Sequence, residues 1–187
     1  MLVQVRGTSG SGKSFIAFKI LKKYDFQPVK NKSGKIIGYY AEKPNFFVVG
    51  KYETACGGCD SIKTQDEICK IVVSSLKKGY NVFFEGLLCS HLAERYAKLY
   101  RIAKKYTNSV TYIFLNTPVE KCADNVNKRR AEKGQLPKEC KTLESHYHST
   151  FKSRTNLICH GVPEKDLPIM SSKEAYEYII KNTKEEE

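Results

Sequence analysis

The chain has 187 residues, of which 41% are hydrophobic and 28% charged, and its formal net charge at pH 7 is +12. This length predicts one α/β domain over residues 1–187, with little room for a second. The apolar runs are too short to cross a membrane, and the first residues predict a strand rather than a signal peptide. The basic surplus favours nucleic acid or nucleotides as partners, although it also fits an ordinary solvated surface.

The first predicted elements are a short buried strand over residues 2–6, a glycine-rich loop and a helix over residues 14–23. The loop, with the sequence GTSGSGKS at residues 7–14, matches the complete P-loop pattern. A strand before this loop and a helix after it are the context that the pattern requires. The sequence therefore predicts a nucleotide-binding P-loop here.

The segment at residues 26–52 has a different pattern. β-Prone runs at residues 36–40 and 46–49 are separated by turn signals, which predicts an antiparallel β-meander inserted onto the core. The segment carries several lysines that would be able to contact phosphates. A solvated ribbon explains those lysines equally well.

Strands and helices alternate along the rest of the chain. Strands are predicted at residues 81–85 and 110–115, and helices at residues 64–78, 91–105, 118–133, 142–154 and 173–181. Ser171 and Glu174 have the spacing of a capping box at the start of the last helix. This alternation predicts an α/β fold with a central parallel sheet and helices on both faces.

The P-loop predicts the donor half of a phosphoryl transfer. Its backbone N–H groups and the positive end of the following helix dipole attract phosphate. Lys13 is expected to reach the β- and γ-phosphates, and the Ser14 hydroxyl to coordinate Mg²⁺. The P-loop pattern does not distinguish ATP from GTP as the phosphoryl donor. The residues expected to bind the nucleotide are Gly7, Ser9, Gly10, Ser11, Gly12, Lys13, Ser14 and Phe15.

Glu85 and two arginines are further candidates for catalysis. Glu85 ends a buried strand, where a carboxylate can hold Mg²⁺ through water or accept a proton, although a surface acid is the alternative. Arg129 and Arg130 follow a predicted helix and would belong to a small lid at about residues 127–142, stabilising charge on the transferring group. The alternative is a basic last turn that complements the helix dipole.

The least generic segment has the sequence KYETACGGCDS at residues 51–61. Cys56 and Cys59 supply two of the four ligands that a structural zinc site needs, and the sequence has no obvious second pair. A redox Cys-x-x-Cys motif would normally begin a helix in a thioredoxin-like chain, and this chain is not of that type. The favoured interpretation is a substrate loop in which glycines permit close approach and Asp60 is the base for an acceptor hydroxyl. The substrate candidates are Tyr52, Cys56, Gly57, Gly58, Cys59 and Asp60.

The P-loop, Glu85 and the arginine pair together resemble the small P-loop kinases, which include nucleoside monophosphate kinases and polynucleotide kinases. The segment from Tyr52 to Asp60, followed by the sequence FEGLL at residues 84–88, resembles the bacteriophage kinases of DNA hypermodification, such as 5-hydroxymethyluracil DNA kinase. This resemblance implies ATP and Mg²⁺ as cofactors, DNA as acceptor, Asp60 as general base, and action in the host cytoplasm. The seven cysteines, an odd number, independently favour a reducing cytoplasm.

Three functions remain open from the sequence. The first is a DNA kinase that phosphorylates a modified pyrimidine. The second is a deoxynucleoside monophosphate kinase or a polynucleotide 5′-hydroxyl kinase; residues 26–61 contain lysines but no arginine, which counts against a site for a nucleotide phosphate. The third is a regulatory or nucleic-acid-binding module that hydrolyses nucleotide without a phosphorylated acceptor.

Overall fold

The structure, a computed structural model, describes residues 1–53 and 57–183. The strands are β1 (Leu2–Arg6), β2 (Gln27–Lys30), β3 (Ile36–Ala41), β4 (Phe46–Val49), β5 (Asn81–Glu85), β6 (Val110–Leu115) and β7 (Ile169–Met170). Among the described residues they form one seven-stranded sheet with the order β2-β3-β4-β5-β1-β6-β7. The pairs β4–β5, β5–β1, β1–β6 and β6–β7 are parallel, whereas β2–β3 and β3–β4 are antiparallel.

The predicted meander is confirmed as β2, β3 and β4. Its last strand also pairs in parallel with β5, with Phe47 opposite Val82. The meander therefore continues the central sheet, and residues of β4 are as buried as those of the other core strands. Ser171 and Glu174 form the predicted capping box.

Seven helices occur in the described part of the chain. They are α1 (Lys13–Lys23), α2 (Gln65–Lys77), α3 (Leu87–His91), α4 (Glu94–Ala103), α5 (Val119–Ala131), α6 (Cys140–Cys159) and α7 (Ser172–Asn182). Alternating residues of the strands divide the core between two faces, so that Phe84 packs on one side and Phe83 on the other. One face is covered by α2, α4 and α6, and the other by α1 and α7. The predicted α/β architecture is therefore confirmed.

The structure differs from the sequence-based expectations at three places. Residues 91–105 were predicted as one helix, but α3 ends at His91 and α4 begins at Glu94. The helix predicted at residues 142–154 is longer at both ends, and β7 was not predicted. A two-residue strand and a five-residue helix are too short to produce a hydrophobic period. None of the helices described in residues 1–53 and 57–183 has the length and apolar character of a membrane span.

Candidate active site

A cavity of about 780 Å³ lies where β1 and β5 end. The P-loop and the start of α1 line it, together with Glu85, the turn Cys59–Ser61 and one face of α5. This is the edge of an open parallel sheet at which ligands are expected to bind. A larger cavity of about 920 Å³ lies between α2 and α4, but it contains none of the predicted site residues.

Lys13 is the first helical residue after the P-loop and is almost fully buried. Its Nζ donates hydrogen bonds of 2.7 Å to the carbonyl of Gly7 and 2.8 Å to that of Thr8. Burial lowers the pKa of Lys13, and the nearby carboxylate of Glu85 opposes that effect. An ammonium group is thus held against the loop in the cavity, where a phosphate would compete for it. The predicted residues Ser9, Gly10, Ser11, Gly12, Lys13, Ser14 and Phe15 line this cavity, and Gly7 contributes through its backbone.

Ser14 and Glu85 meet across the cavity floor. The Ser14 hydroxyl donates a hydrogen bond of 3.1 Å to Oε1 of Glu85. The Glu85 side chain is 1% exposed, and burial raises its pKa to about 7, while Lys13 and the two hydroxyls of Ser14 and Tyr52 act in the opposite direction. An alcohol and a carboxylate oxygen at this distance are ligands that Mg²⁺ prefers.

Gly58 and Tyr52 complete the surroundings of Glu85. The Gly58 backbone, with φ 83° and ψ −157°, passes so close that a Cβ there would lie less than 3.0 Å from Oε1 of Glu85. The buried hydroxyl of Tyr52 lies beside the same carboxylate without a hydrogen bond of standard geometry to any described residue. Burial, followed by Glu85, raises the pKa of Tyr52. Tyr52 therefore lies next to Glu85 and does not line the cavity.

Asp60 lies on the wall of the cavity and its side chain is exposed. Its Oδ2 accepts a hydrogen bond of 2.8 Å from the backbone N–H of Leu87, and its Oδ1 accepts one of 3.3 Å from that of Leu88. These are N–H groups at the first turn of α3, which have no partner within their own helix. The carboxylate is thereby fixed next to Glu85, whose pKa it helps to raise.

The other residues of the predicted substrate loop divide into two groups. Gly57 lines the cavity, whereas Cys59 is buried in the core, where it neighbours the thiol of Cys89. Cys56 lies outside the described residues. Within residues 1–53 and 57–183, no group of three or more His, Cys, Asp or Glu side chains is arranged to hold a metal ion.

Helix α5 forms another wall of the cavity. Arg129 lines the cavity, but the Nε of Arg130 donates a hydrogen bond of 2.6 Å to the carbonyl of Leu136, in the segment between α5 and α6. Lys121 and Lys128 line the cavity too, and sequence reasoning missed both. Their spacing of seven residues along a helix places them on one face, so a signal was present in the sequence.

Two side chains beyond the loop hold the P-loop backbone. Thr117 Oγ1 donates a hydrogen bond of 2.8 Å to the carbonyl of Ser11, and Asn125 Nδ2 donates one of 2.9 Å to that of Gly10. The first of these residues precedes α5 and the second lies within it. The position of α5 is consequently coupled to the shape of the phosphate-binding loop.

Arg6 is a buried residue that the sequence did not single out. Its guanidinium donates hydrogen bonds to the carbonyls of Cys89 and Leu92, at the C-terminal end of α3, and lies over three aromatic rings. Burial lowers its pKa to about 10. Because Asp60 binds the first turn of α3 and Arg6 the last, this short helix is held at both ends.

The sequence is similar to a named family of kinases. A family model described as 5-hmdU DNA kinase matches residues 1–150. The 5-hmdU DNA kinase of Pseudomonas phage PaMx11 is 34% identical over 174 residues, which cover 87% of each chain. The 5-hmdU DNA kinase of Delftia phage PhiW-14 is 28% identical over 86% of this chain and 65% of its own length.

Other similarities are more partial. The 5-hmdU DNA kinase of Bacillus phage SP10 is 26% identical over 71% of this chain, which spans only 21% of that longer protein. Among solved structures, a gluconokinase from Sinorhizobium meliloti 1021 aligns over 97% of this chain and 87% of its own, with a TM-score of 0.48 and 14% identity.

Proposed function

We propose that this chain, which belongs to the 5-hmdU DNA kinase family, transfers the γ-phosphoryl group of ATP to the hydroxymethyl group of 5-hydroxymethyluracil in DNA. The observation that carries the proposal is that the P-loop shares one cavity with Asp60 and Glu85, two of the three described acidic side chains that line it; the third, Glu132, follows α5. A phosphoryl donor and a hydroxyl acceptor can therefore meet there. The net charge of +12 suits a DNA polyanion, and phosphate neutralisation would make binding weaken with salt.

The donor side follows from the P-loop. In the bound state the Lys13 ammonium would exchange the carbonyls of Gly7 and Thr8 for oxygens of the β- and γ-phosphates. The buried Ser11 hydroxyl has no hydrogen-bond partner among the described residues, as expected of a loop whose polar groups await a ligand. Arg129, Lys121 and Lys128 would supply further positive charge from α5.

The oxygen pair on the cavity floor fits a magnesium ion. Ser14 would bind it directly and Glu85 through water, with the Gly58 backbone packed against the carboxylate. When bound, Mg²⁺ neutralises charge on the phosphates. The raised pKa of Glu85 agrees with a carboxylate that is buried beside a site for positive charge.

Asp60 is the proposed general base for the acceptor. It would take the proton of the hydroxymethyl group while that oxygen forms a bond to the γ-phosphorus and the bond from this phosphorus to the β-γ bridging oxygen breaks, releasing ADP. Its two backbone hydrogen bonds to α3 fix where the carboxylate can receive the proton. A base held in this way has its orientation set before the acceptor arrives.

The experiment is phosphoryl transfer from γ-labelled ATP. The acceptors are duplex DNA with 5-hydroxymethyluracil, the same duplex with thymine, a duplex with free 5′-hydroxyl ends, and a panel of deoxynucleotides. We expect label only in the first, and none with the Lys13→Ala variant. Label in free deoxynucleotides would contradict a DNA acceptor. Label at 5′ ends would indicate a polynucleotide kinase. Release of phosphate without a labelled acceptor would indicate a nucleotide-hydrolysing module. Replacing ATP by GTP tests the choice of donor.

A further inference from the structure

The groups that would handle the phosphoryl donor are recessed in the protein. Lys13 is 7% exposed and Glu85 is 1% exposed, and both lie at the floor of the cavity. A volume of about 780 Å³ equals a cube with edges of roughly 9 Å. This space admits a nucleotide but not a duplex.

The acceptor of the proposed reaction is recessed as well. In paired DNA the 5-substituent of a pyrimidine lies on the floor of the major groove, which is about 8.5 Å deep. Transfer requires the reacting atoms to approach to about 3–3.5 Å. Two concave surfaces cannot bring recessed atoms that close, so either the protein inserts a projection into the groove or the base leaves the stack. Lys13 and Glu85 lie on the floor of the cavity and Asp60 on its wall, and not on a projection.

We propose that the acceptor base is extruded from the duplex into the cavity and that the side chain of Leu88 fills the place it vacates. This inference rests on the proposed function. Leu88 lies in the first turn of α3, next to the cavity-lining Leu87, and is 59% exposed. Apolar side chains of this kind insert between base steps in many DNA-bending proteins. Extrusion costs a few kcal/mol, and a side chain in the gap offsets part of that cost.

Exposure alone would not single out Leu88, because isolated apolar side chains are common on protein surfaces. Leu88 is distinguished by its fixed position next to Asp60, the proposed general base. Its backbone N–H donates to Oδ1 of Asp60, and Arg6 binds the carbonyls of Cys89 and Leu92 at the other end of the helix. Leu88, which would insert into the DNA, and Asp60, the proposed general base, are therefore held next to each other. This arrangement allows Leu88 to fill the gap in the duplex while the extruded nucleobase lies against Asp60.

The cavity also offers apolar surface to an extruded pyrimidine. Phe18 lines it from α1 and packs edge-on against Tyr52, with ring centroids 5.9 Å apart. Leu87 lines it from α3. An aromatic ring such as that of Phe18 can stack on the π-face of any base, so the hydroxymethyl group would be selected by its contact with Asp60.

The test compares Leu88→Ala with Ile102→Ala, an exposed apolar residue of α4 that does not line the catalytic cavity. Each variant is assayed on three DNAs of one sequence: a duplex with hydroxymethyluracil opposite adenine, the same duplex with hydroxymethyluracil mispaired opposite guanine, and the single strand. We expect Leu88→Ala to lower kcat/KM roughly tenfold or more on the adenine-paired duplex and less than about twofold on the single strand. Ile102→Ala should leave all three unchanged.

The wild-type protein tests extrusion separately. We expect the mispaired duplex to react faster than the paired one, because less pairing energy is lost. Equal rates on these two duplexes would overturn extrusion, and an equal loss by Leu88→Ala on duplex and single strand would overturn the role of Leu88. If extrusion or the role of Leu88 is overturned, label in the single strand still supports the proposed function. Label in none of the three DNAs would overturn the proposed function and this inference with it.

Discussion

The backbone of Gly58 lies directly against the carboxylate of Glu85. Gly58 has φ 83° and ψ −157°, a combination open in practice only to glycine, and a Cβ would come within 3.0 Å of the carboxylate oxygen and carbon. The loop that carries Asp60 is thereby packed onto the strand that carries Glu85. The two acidic residues keep their relative positions because no side chain separates these segments.

Gly58→Ala is expected to abolish phosphoryl transfer. The new Cβ would displace either Glu85 or the loop, in addition to a backbone cost of about 1–3 kcal/mol for a non-glycine residue in this region. Gly34→Ala is the matched control, since Gly34 has φ 78° but nothing within 4 Å of its Cβ position. Thermal unfolding and transfer assays of both variants check this. Wild-type activity in Gly58→Ala would contradict the proposed contact with Glu85.

The stability of the ligand-free protein should fall with rising pH because of Glu85. Burial raises the pKa of this carboxyl from 4.5 to about 7, so the folded state holds a proton that the unfolded chain releases. The contribution of Glu85 is full below pH 4.5 and is lost as pH rises through about 7, with a total of about 3 kcal/mol at most.

Glu85→Gln is expected to remove this dependence. Its free energy of unfolding should approach or exceed that of wild type above pH 7, even though transfer is lost. Denaturant unfolding between pH 5 and pH 8 without nucleotide or Mg²⁺ measures the difference, and His91 and His146, whose pKa values burial lowers, are common to both proteins. Glu42→Gln, at an exposed position, is the control. A wild-type pH profile in Glu85→Gln would contradict the prediction.

Asp60→Asn separates the two roles of this residue. The amide can still accept a hydrogen bond from α3 through its oxygen but cannot take a proton. We expect kcat to fall by about 10²–10⁴, with ATP affinity within about twofold of wild type. Steady-state kinetics and nucleotide binding measure both, with Asp66→Asn as control, because Asp66 is exposed and pairs with Arg95. An equal loss of binding and turnover would remove Asp60 as the base.

The residues that line the cavity from the P-loop were predictable because they are contiguous. The P-loop needs only a strand before it and a helix after it, and Glu85 was singled out because an acid ends a buried apolar strand. Helix α3 was not predictable, since five residues do not complete a period and Leu87 and Leu88 have the composition of a core segment. The contact of Asp60 with α3 is therefore visible only in three dimensions, although the segment that contains Asp60 was singled out.

The α5 face shows a different limit of the sequence. Lys121, Asn125 and Lys128 have helical spacing and were open to recognition as one face. That this face meets the P-loop depends on β6 lying beside β1, which the hydrophobic pattern does not specify. The sequence-based prediction also gave Arg129 and Arg130 the same role, whereas their side chains leave the helix in different directions.

Arg129 and Arg130 are therefore expected to differ in their effects. Arg129 lines the cavity and would contact the transferring phosphoryl group, so Arg129→Ala should lower kcat by at least about 10²-fold. Arg130 binds the carbonyl of Leu136 in the proposed lid, and Arg130→Ala should act through lid closure, raising KM for ATP with a smaller change in kcat. Arg129→Lys and Arg130→Lys control for charge, because lysine keeps the charge but not the planar fork of donors. Measuring kcat and KM for the alanine and lysine variants of both arginines, at one salt concentration, distinguishes the two roles. A larger loss of kcat in Arg130→Ala than in Arg129→Ala would reverse the two roles.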